Sequence, residues 1–310
     1  MRKVIGLGET ILDILFRHKQ PTAAVPGGSS FNSIISIGRA GIPAIFVGET
    51  GNDEVGQQIA DFLKDNHVDA SYLRRLDQIK SSISLAFLDD NNDAHYTFYK
   101  SQPCTNLDVT YPQVNADDII QFGSYYAISP STHQLVKAFL TKAKAQNAIL
   151  FYDLNFRRPH LKELEQLWPA IHDNFRLSNV VRGSADDFEV MYNERDPETI
   201  YKKHIINYCP LFICTQGSEG ITLCTPNGCQ HYAVTPVQTV SNIGAGDNFN
   251  AGFIYGLYRE GIRHQDLEEL SSTEWEKLIR YGESFAANVC ASIHNSIDVA
   301  FGRQMAIQPE

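Results

Sequence analysis

Apolar residues recur along this chain in two rhythms, and the order of the rhythms predicts its architecture. "KVIGLG" is a short apolar run closed by glycines, the pattern of a buried strand and a turn. "SFNSIISIGRAG" places apolar residues at helical spacing and stops at glycine. "IPAIFVGETG" reads as a strand and "DEVGQQIADFLKDNHV" as an amphipathic helix. Strand alternating with helix predicts βαβ units, hence an α/β fold with a mainly parallel sheet and helices on both faces. "ISLAFLD" and "AHYTFYK", joined by the turn-rich "DNND", interrupt the rhythm as an antiparallel hairpin. The alternation then resumes. "SYYAISP", "AILFYD" and "NVVRGS" are predicted strands, and "THQLVKAFLTKAKAQ", "LEQLWPAIHDNFRLS" and "ADDFEVMYN" are predicted helices. "LFICTQGSEGITLCTPNG" and "CQHYAVTP" form an antiparallel patch. Two helices, "NFNAGFIYGLYREG" and "STEWEKLIRYGESFAANVCASIHNS", follow Asp247. In open α/β sheets ligands bind beyond the carboxyl ends of strands. That rule selects Glu9, Asp13, Asn155, Arg157, Ser184, Asp187, Gly217 and Asp247.

Composition narrows the class. A chain of 310 residues, 43% hydrophobic and 20% charged, suits one large α/β domain. A net charge of −10 argues against a nucleic-acid binder, though a nest of backbone amides can hold phosphate in an acidic protein. Glu9 and Asp13 interrupt the first apolar run, so it does not read as a signal peptide. No segment reaches the ~20 apolar residues that span a bilayer, so no membrane partner and a cytoplasmic location are expected. The pairs Cys209/Cys214 and Cys224/Cys229 invite a zinc reading, but their spacing is wider than a zinc knuckle. Reduced thiols are expected instead.

The most informative stretch is "SNIGAGDNFNAGF", where Gly244, Ala245 and Gly246 precede Asp247 at the mouth of a helix. Small residues ahead of a helix leave free N–H groups pointing at one spot and let a ligand approach closely. Such a cradle suits a transferring phosphoryl group. A carboxylate there, kept ionised by the helix dipole, can take the proton of an incoming hydroxyl. Taken alone, the four residues fit equally a tight turn with an Asp N-cap, the simpler explanation. No G-x-x-x-x-G-K-[ST] pattern occurs, and "GLGET" lacks the third glycine of a dinucleotide fingerprint.

Taken together, "GGSSFNSIISIGRAG" (27–41) and "IGAGDNFNAGF" resemble the two signatures of the ribokinase (PfkB) family of carbohydrate kinases, and the likeness runs from "GLGETILD" to "ESFAANVCA". The resemblance implies a ribokinase-like three-layer αβα domain over 1–310, with a small β-strand lid at about 13–25 and 81–105. It implies transfer of the ATP γ-phosphate to a sugar, with Mg2+, and subunits paired through their lids as a homodimer. By that likeness Asp247 is the base and Gly244, Ala245 and Gly246 the anion hole. Asp13, Gly28 and Asn32 hold sugar hydroxyls, with Tyr99 and Arg157 lining the substrate pocket. Ser184, Thr215, Gly217, Gly220 and Asn288 line the nucleotide site, and Asp187 orders magnesium-bound water. The text "LAFL…FYK" and "YDLNFR" is most similar to the fructokinase and 2-keto-3-deoxygluconate kinase branch. Lys100 stands where acid-specific members tend to carry Arg and offers no bidentate grip, which favours a neutral hexose such as fructose. Ser241 stands where the family often has Asp near a monovalent cation, which weakens the case for potassium. A keto-acid or nucleoside kinase, and a non-catalytic sugar sensor, are the rival readings.

Overall fold

The computed structural model describes residues 1–88, 94–99 and 109–307. The chain opens with β1 (Val4–Leu7), β2 (Ile11–Arg17), β3 (Gln20–Gly27), α1 (Ser29–Arg39), β4 (Ala44–Gly51), α2 (Glu54–Asp65), β5 (Val68–Asp69), β6 (Leu73–Leu76), β7 (Ile83–Leu88) and β8 (Ala94–Tyr99). It continues through β9 (Ile119–Gly123), α3 (Ser124–Ile128), α4 (His133–Ala145), β10 (Ile149–Asp153), α5 (Leu164–Leu177), β11 (Val180–Ser184), α6 (Ala185–Tyr192), α7 (Pro197–Ile200), β12 (Leu211–Thr215), β13 (Ile221–Thr225) and β14 (Gly228–Tyr232). It closes with α8 (Ala245–Arg259), α9 (Ser272–Cys290) and α10 (Val299–Met305).

Two compact units share these elements. Unit one comprises Met1–Arg2, Gln113–Pro236 and Gly261–Arg280. Its strands lie in the order β14-β13-β12-β11-β10-β9, with β9 to β12 parallel and the last two antiparallel. The parallel strands read as unbroken apolar runs because a parallel sheet is covered on both faces; every residue of β10 is buried. Two sequence expectations fail here. "SYYAISP" is not a strand: the strand is the fully buried Ile119–Gly123, and Ser124, at φ 55°, turns the chain into the short helix α3. The buried Gln121 hid that strand's apolar character, while the aromatic "YYAI" mimicked one. Nor are all the cysteines reduced. Cys224 and Cys229 face each other across β13 and β14, with Cα atoms 4.0 Å apart, and are joined as a disulfide. Their five-residue separation is what a tight antiparallel turn needs to bring two side chains together. Cys209 and Cys214 are buried free thiols and Cys290 is a half-buried one, while Cys104 lies outside the described residues.

Unit two comprises Lys3–Pro112, Val237–Glu260 and Tyr281–Glu310. In it β4 pairs in parallel with β1, β5 and β6. A separate four-stranded sheet runs in the order β3-β2-β7-β8 and carries the described parts of the segments expected as the lid; positions 89–93 and 100–105, Lys100 among them, fall outside. α1 packs on α8 and buries Phe31, Ile34, Ile35 and Ile37. It also buries Ser33 and Ser36 completely, because their hydroxyls bond to α8: Ser33 Oγ to the Asp247 carbonyl and Ser36 Oγ to Asn248 Oδ1. The helix α9 stops at Cys290, shorter than its pattern predicted, and residues 291–297 form a loop before Asp298 caps a further helix, α10. Among the described residues no helix is long and apolar enough to cross a membrane.

Gly38, inside α1, shows which packing term dominates. Exchanging a helical glycine for alanine ordinarily gains up to about 1 kcal/mol. Here an added Cβ would sit 2.2 Å from the Asn66 carbonyl oxygen and 2.9 Å from Val68 Cγ2. A backbone oxygen cannot swing aside, so overpacking wins. Gly38→Ala is expected to lose about 2 kcal/mol or more in urea unfolding, with the melting temperature lowered by several degrees.

Candidate active site

Gly244 takes the left-handed conformation, φ 78°, and so turns the chain into the first turn of α8. The helical ladder begins only at the Asn248 amide, which donates to the Gly244 carbonyl at 2.9 Å. The Ala245 amide makes only a long 3.3 Å bond, to Asn242, so the first turn offers weakly engaged donors to an anion. Asp247 is half-buried beside them. Its carboxylate is gripped from the start of α1: Ser29 Oγ donates to Oδ1 and Asn32 Nδ2 to Oδ2, each at 2.8 Å. It is therefore not the N-cap of its own helix; that position is Gly244. The two sequence signatures, 215 residues apart, meet at this one carboxylate.

The same unit holds Asp13, 9% exposed. Ser84 Oγ donates to its Oδ1, and Asn295 Nδ2 donates to its Oδ2 at 3.3 Å. Burial pushes the Asp13 carboxyl above its ordinary value, and these two hydrogen bonds oppose the shift. Asn32 is 5% exposed, and its Oδ1 has no hydrogen-bond partner. A buried acceptor left open is costly and points to an absent donor. A Cβ on Gly27 would fall 2.7 Å from Asp13 Oδ2 and 3.6 Å from Asn32 Oδ1, so glycine keeps these acceptors accessible. Gly28, at φ 131°, packs against the Glu9 carbonyl, which a Cβ would approach to 2.3 Å. Tyr99, at the end of β8, is 56% exposed.

Unit one gathers the other expected residues at the ends of β11 and β12. Ser184 and Asp187 form a capping box at the start of α6: Ser184 N and Oγ both donate to Asp187 Oδ2, and Asp187 N donates to Ser184 Oγ. Burial raises the Asp187 carboxyl, against those bonds and the charge of Arg182. Thr215 Oγ1 accepts from Arg182 Nη2 at 2.6 Å, while Arg182 Nη1 bonds Asp153 at 2.9 Å. Gly217 (φ 58°) and Gly220 (φ 115°) bracket a single turn in conformations that favour glycine, and the far side of Gly220 is filled by His231 and the Tyr232 carbonyl. Asn155 bonds Ser124, and Arg157 is exposed just beyond it. Asn288 belongs to the other unit, where its carboxamide both donates to and accepts from Asp298, so its polar atoms are occupied locally. Sequence reasoning missed Ser29, Ser84, Asn295, Arg182 and Asp153. Ser29 lies inside the first signature and was legible there; the others are joined only by the fold.

The pfkB family carbohydrate kinase model matches residues 4–298. The chain belongs to the pfkB family of carbohydrate kinases. Among the relatives, a fructokinase of Escherichia coli is 24% identical, over 86% of this chain and 88% of its own length. A 5-dehydro-2-deoxygluconokinase of Geobacillus thermodenitrificans is 26% identical, over 88% of this chain and 80% of its own. A crystal structure of fructokinase from Vibrio cholerae in a fructose-, ADP- and calcium-bound form superposes with a TM-score of 0.84 at 21% identity, covering 99% of both chains. The fold of this pfkB kinase is accordingly ribokinase-like.

Two outcomes follow from the charged groups of this kinase. A raised carboxyl contributes stability below its ordinary value, near pH 3.8, and loses it as pH rises through the raised value. At neutral pH Asp13→Asn removes that loss. The variant should show a weaker dependence of melting temperature on pH than the wild type above pH 3.8, while its sugar-dependent ADP formation drops at least about tenfold. Arg182→Met leaves the buried Asp153 carboxylate without its cation, so it should cost about 3–5 kcal/mol in chemical denaturation.

Proposed function

We propose that this chain transfers the ATP γ-phosphate to a hydroxyl of a neutral hexose, fructose first, with Asp247 as the base. The observation that carries the reading is the grip of Ser29 and Asn32 on Asp247 at the mouth of α8. Both donors hold the carboxylate at fixed orientation. The sugar O–H gives its proton to Asp247, the freed oxygen attacks the γ-phosphorus, and the bond to the β-phosphate oxygen breaks to release ADP. The first-turn amides of α8 and its dipole stabilise the charge on the transferring group.

Substrate class follows from polarity. Asp13, Asn32 Oδ1 and Asp247 are all acceptors, so the matching ligand brings hydroxyl donors. In unit one, Thr215, Gly217, Gly220 and Ser184 are assigned to the nucleotide; Arg182, braced on Asp153, orients the Thr215 hydroxyl. Among the described residues no group of three or more His, Cys, Asp or Glu is poised to hold a metal. Magnesium fits this donor set as an ion carried in on the nucleotide phosphates, where it neutralises charge. Asp187 would then reach it through water, since one of its oxygens is held by Ser184. The sheet β3-β2-β7-β8 fits a lid, and its exposed Phe87, Phe98 and Tyr99 fit pairing between two copies.

Coupled ADP detection over a panel of fructose, ribose, 2-keto-3-deoxygluconate, 5-dehydro-2-deoxygluconate and nucleosides tests the assignment. Fructose should give the highest kcat/KM. Asp247→Asn should bind that sugar almost normally in calorimetry and turn it over at least about a hundredfold more slowly. Wild-type turnover by Asp247→Asn would remove the base.

A further inference from the structure

We propose that Asn295 is a positioning residue for the sugar acceptor, joining the hydroxyl-gripping Asp13 to the anion-hole turn. The proposal rests on the sugar-kinase reading above and concerns a residue from the loop between α9 and α10. Asn295 is 5% exposed. Its carboxamide donates to Asp13 Oδ2 at 3.3 Å, and Ser84 holds the other oxygen, so two neutral donors fix the plane of a buried carboxylate. The Asn295 nitrogen also lies 3.2 Å from the position of a Cβ on Gly27, in the same space as the open Asn32 Oδ1. Its other end reaches the phosphate side. The Asn295 carbonyl accepts from Asn248 Nδ2 at 2.8 Å, and the same Nδ2 donates to the Gly244 carbonyl at 2.8 Å. Gly244 leans directly on this backbone: a Cβ there would sit 2.9 Å from the Asn295 carbonyl oxygen. A single residue thus touches the group expected to grip the sugar and the turn expected to receive the phosphoryl.

The charged groups facing this spot are Asp13 on β2 and Asp247 on α8; Ser84 on β7 and Asn32 on α1 are neutral. A loop merely filled by Asn295 would predict a loss of stability with both substrate constants drifting together. A positioning role predicts a split. With fructose as the probe, Asn295→Ala should raise the sugar KM and the calorimetric sugar Kd about tenfold or more, while the ATP KM stays within about twofold. Asn295→Asp supplies the second, diagnostic arm. When protonated, its carboxyl donates to Asp13 as the amide does; when ionised, it faces a like charge. Its sugar Kd should therefore weaken as pH rises through the joint titration of the two facing carboxyls, a dependence distinct from that of the wild type, in which Asp13 titrates without a second carboxyl against it. Wild-type sugar binding that Asn295→Ala leaves unaltered, or an Asn295→Asp profile parallel to the wild type, overturns the inference alone. A wild type that binds none of the panel sugars overturns it together with the kinase assignment.

Discussion

The first turn of α8 and the first turn of α1 are held together through one carboxylate, and the chemistry assigned to this protein depends on that clasp. Two neutral donors, Ser29 and Asn32, close on Asp247 at 2.8 Å. Behind them Ser33 and Ser36 bond the same helix further along, so the two helices are registered by side chains that cannot slide without stranding buried hydroxyls. Hydrophobic burial brings α1 and α8 together; it does not specify which residues face which. The polar pairs do that.

The residues proposed for the sugar and for the nucleotide are drawn from different parts of the chain. The buried acceptors Asp13 and Asn32 sit in the unit built around β1, β4 and α8. Donors and glycine turns suited to phosphate and base sit at the ends of β11 and β12. The nucleotide-side residues lie at the ends of β11 and β12 or just past them and Asn32 lies at the start of α1, whereas Asp13, expected beyond a strand end, lies within β2. Arg182 is a buried cation held beside Asp153: one Nη donates to that carboxylate and the other to the hydroxyl of Thr215.

Much of this was legible in the sequence for a physical reason. Parallel strands buried on both faces announce themselves as unbroken apolar runs, and α1, α2 and α8 carry a clear helical period, with glycine stops after α1 and α8. The Gly-Ala-Gly-Asp motif predicted a tight turn into a helix, and Gly244 makes that turn in the left-handed conformation. What failed had competing local signals. "SYYAI" has strand-forming residues but is bent into a helix by the turn at Ser124. Cys224 and Cys229 read as a pair of reduced thiols until strand register set them opposite one another as a disulfide. Asn295 had no local signature at all: its meaning arises from contact with Asp13, 282 positions earlier.

That last distance bears on how the protein comes into being. A ribosome delivers Asp13, then Asn32, then Asp247, and only after α9 the loop that underlies Gly244. A nascent or prematurely ended chain that stops at α9 already owns both helices and the residues of the clasp, yet lacks the loop on which the Gly244 turn rests. Completion of the Gly244 turn is therefore bound to the synthesis of the loop after α9, rather than to the appearance of the most conspicuous motif.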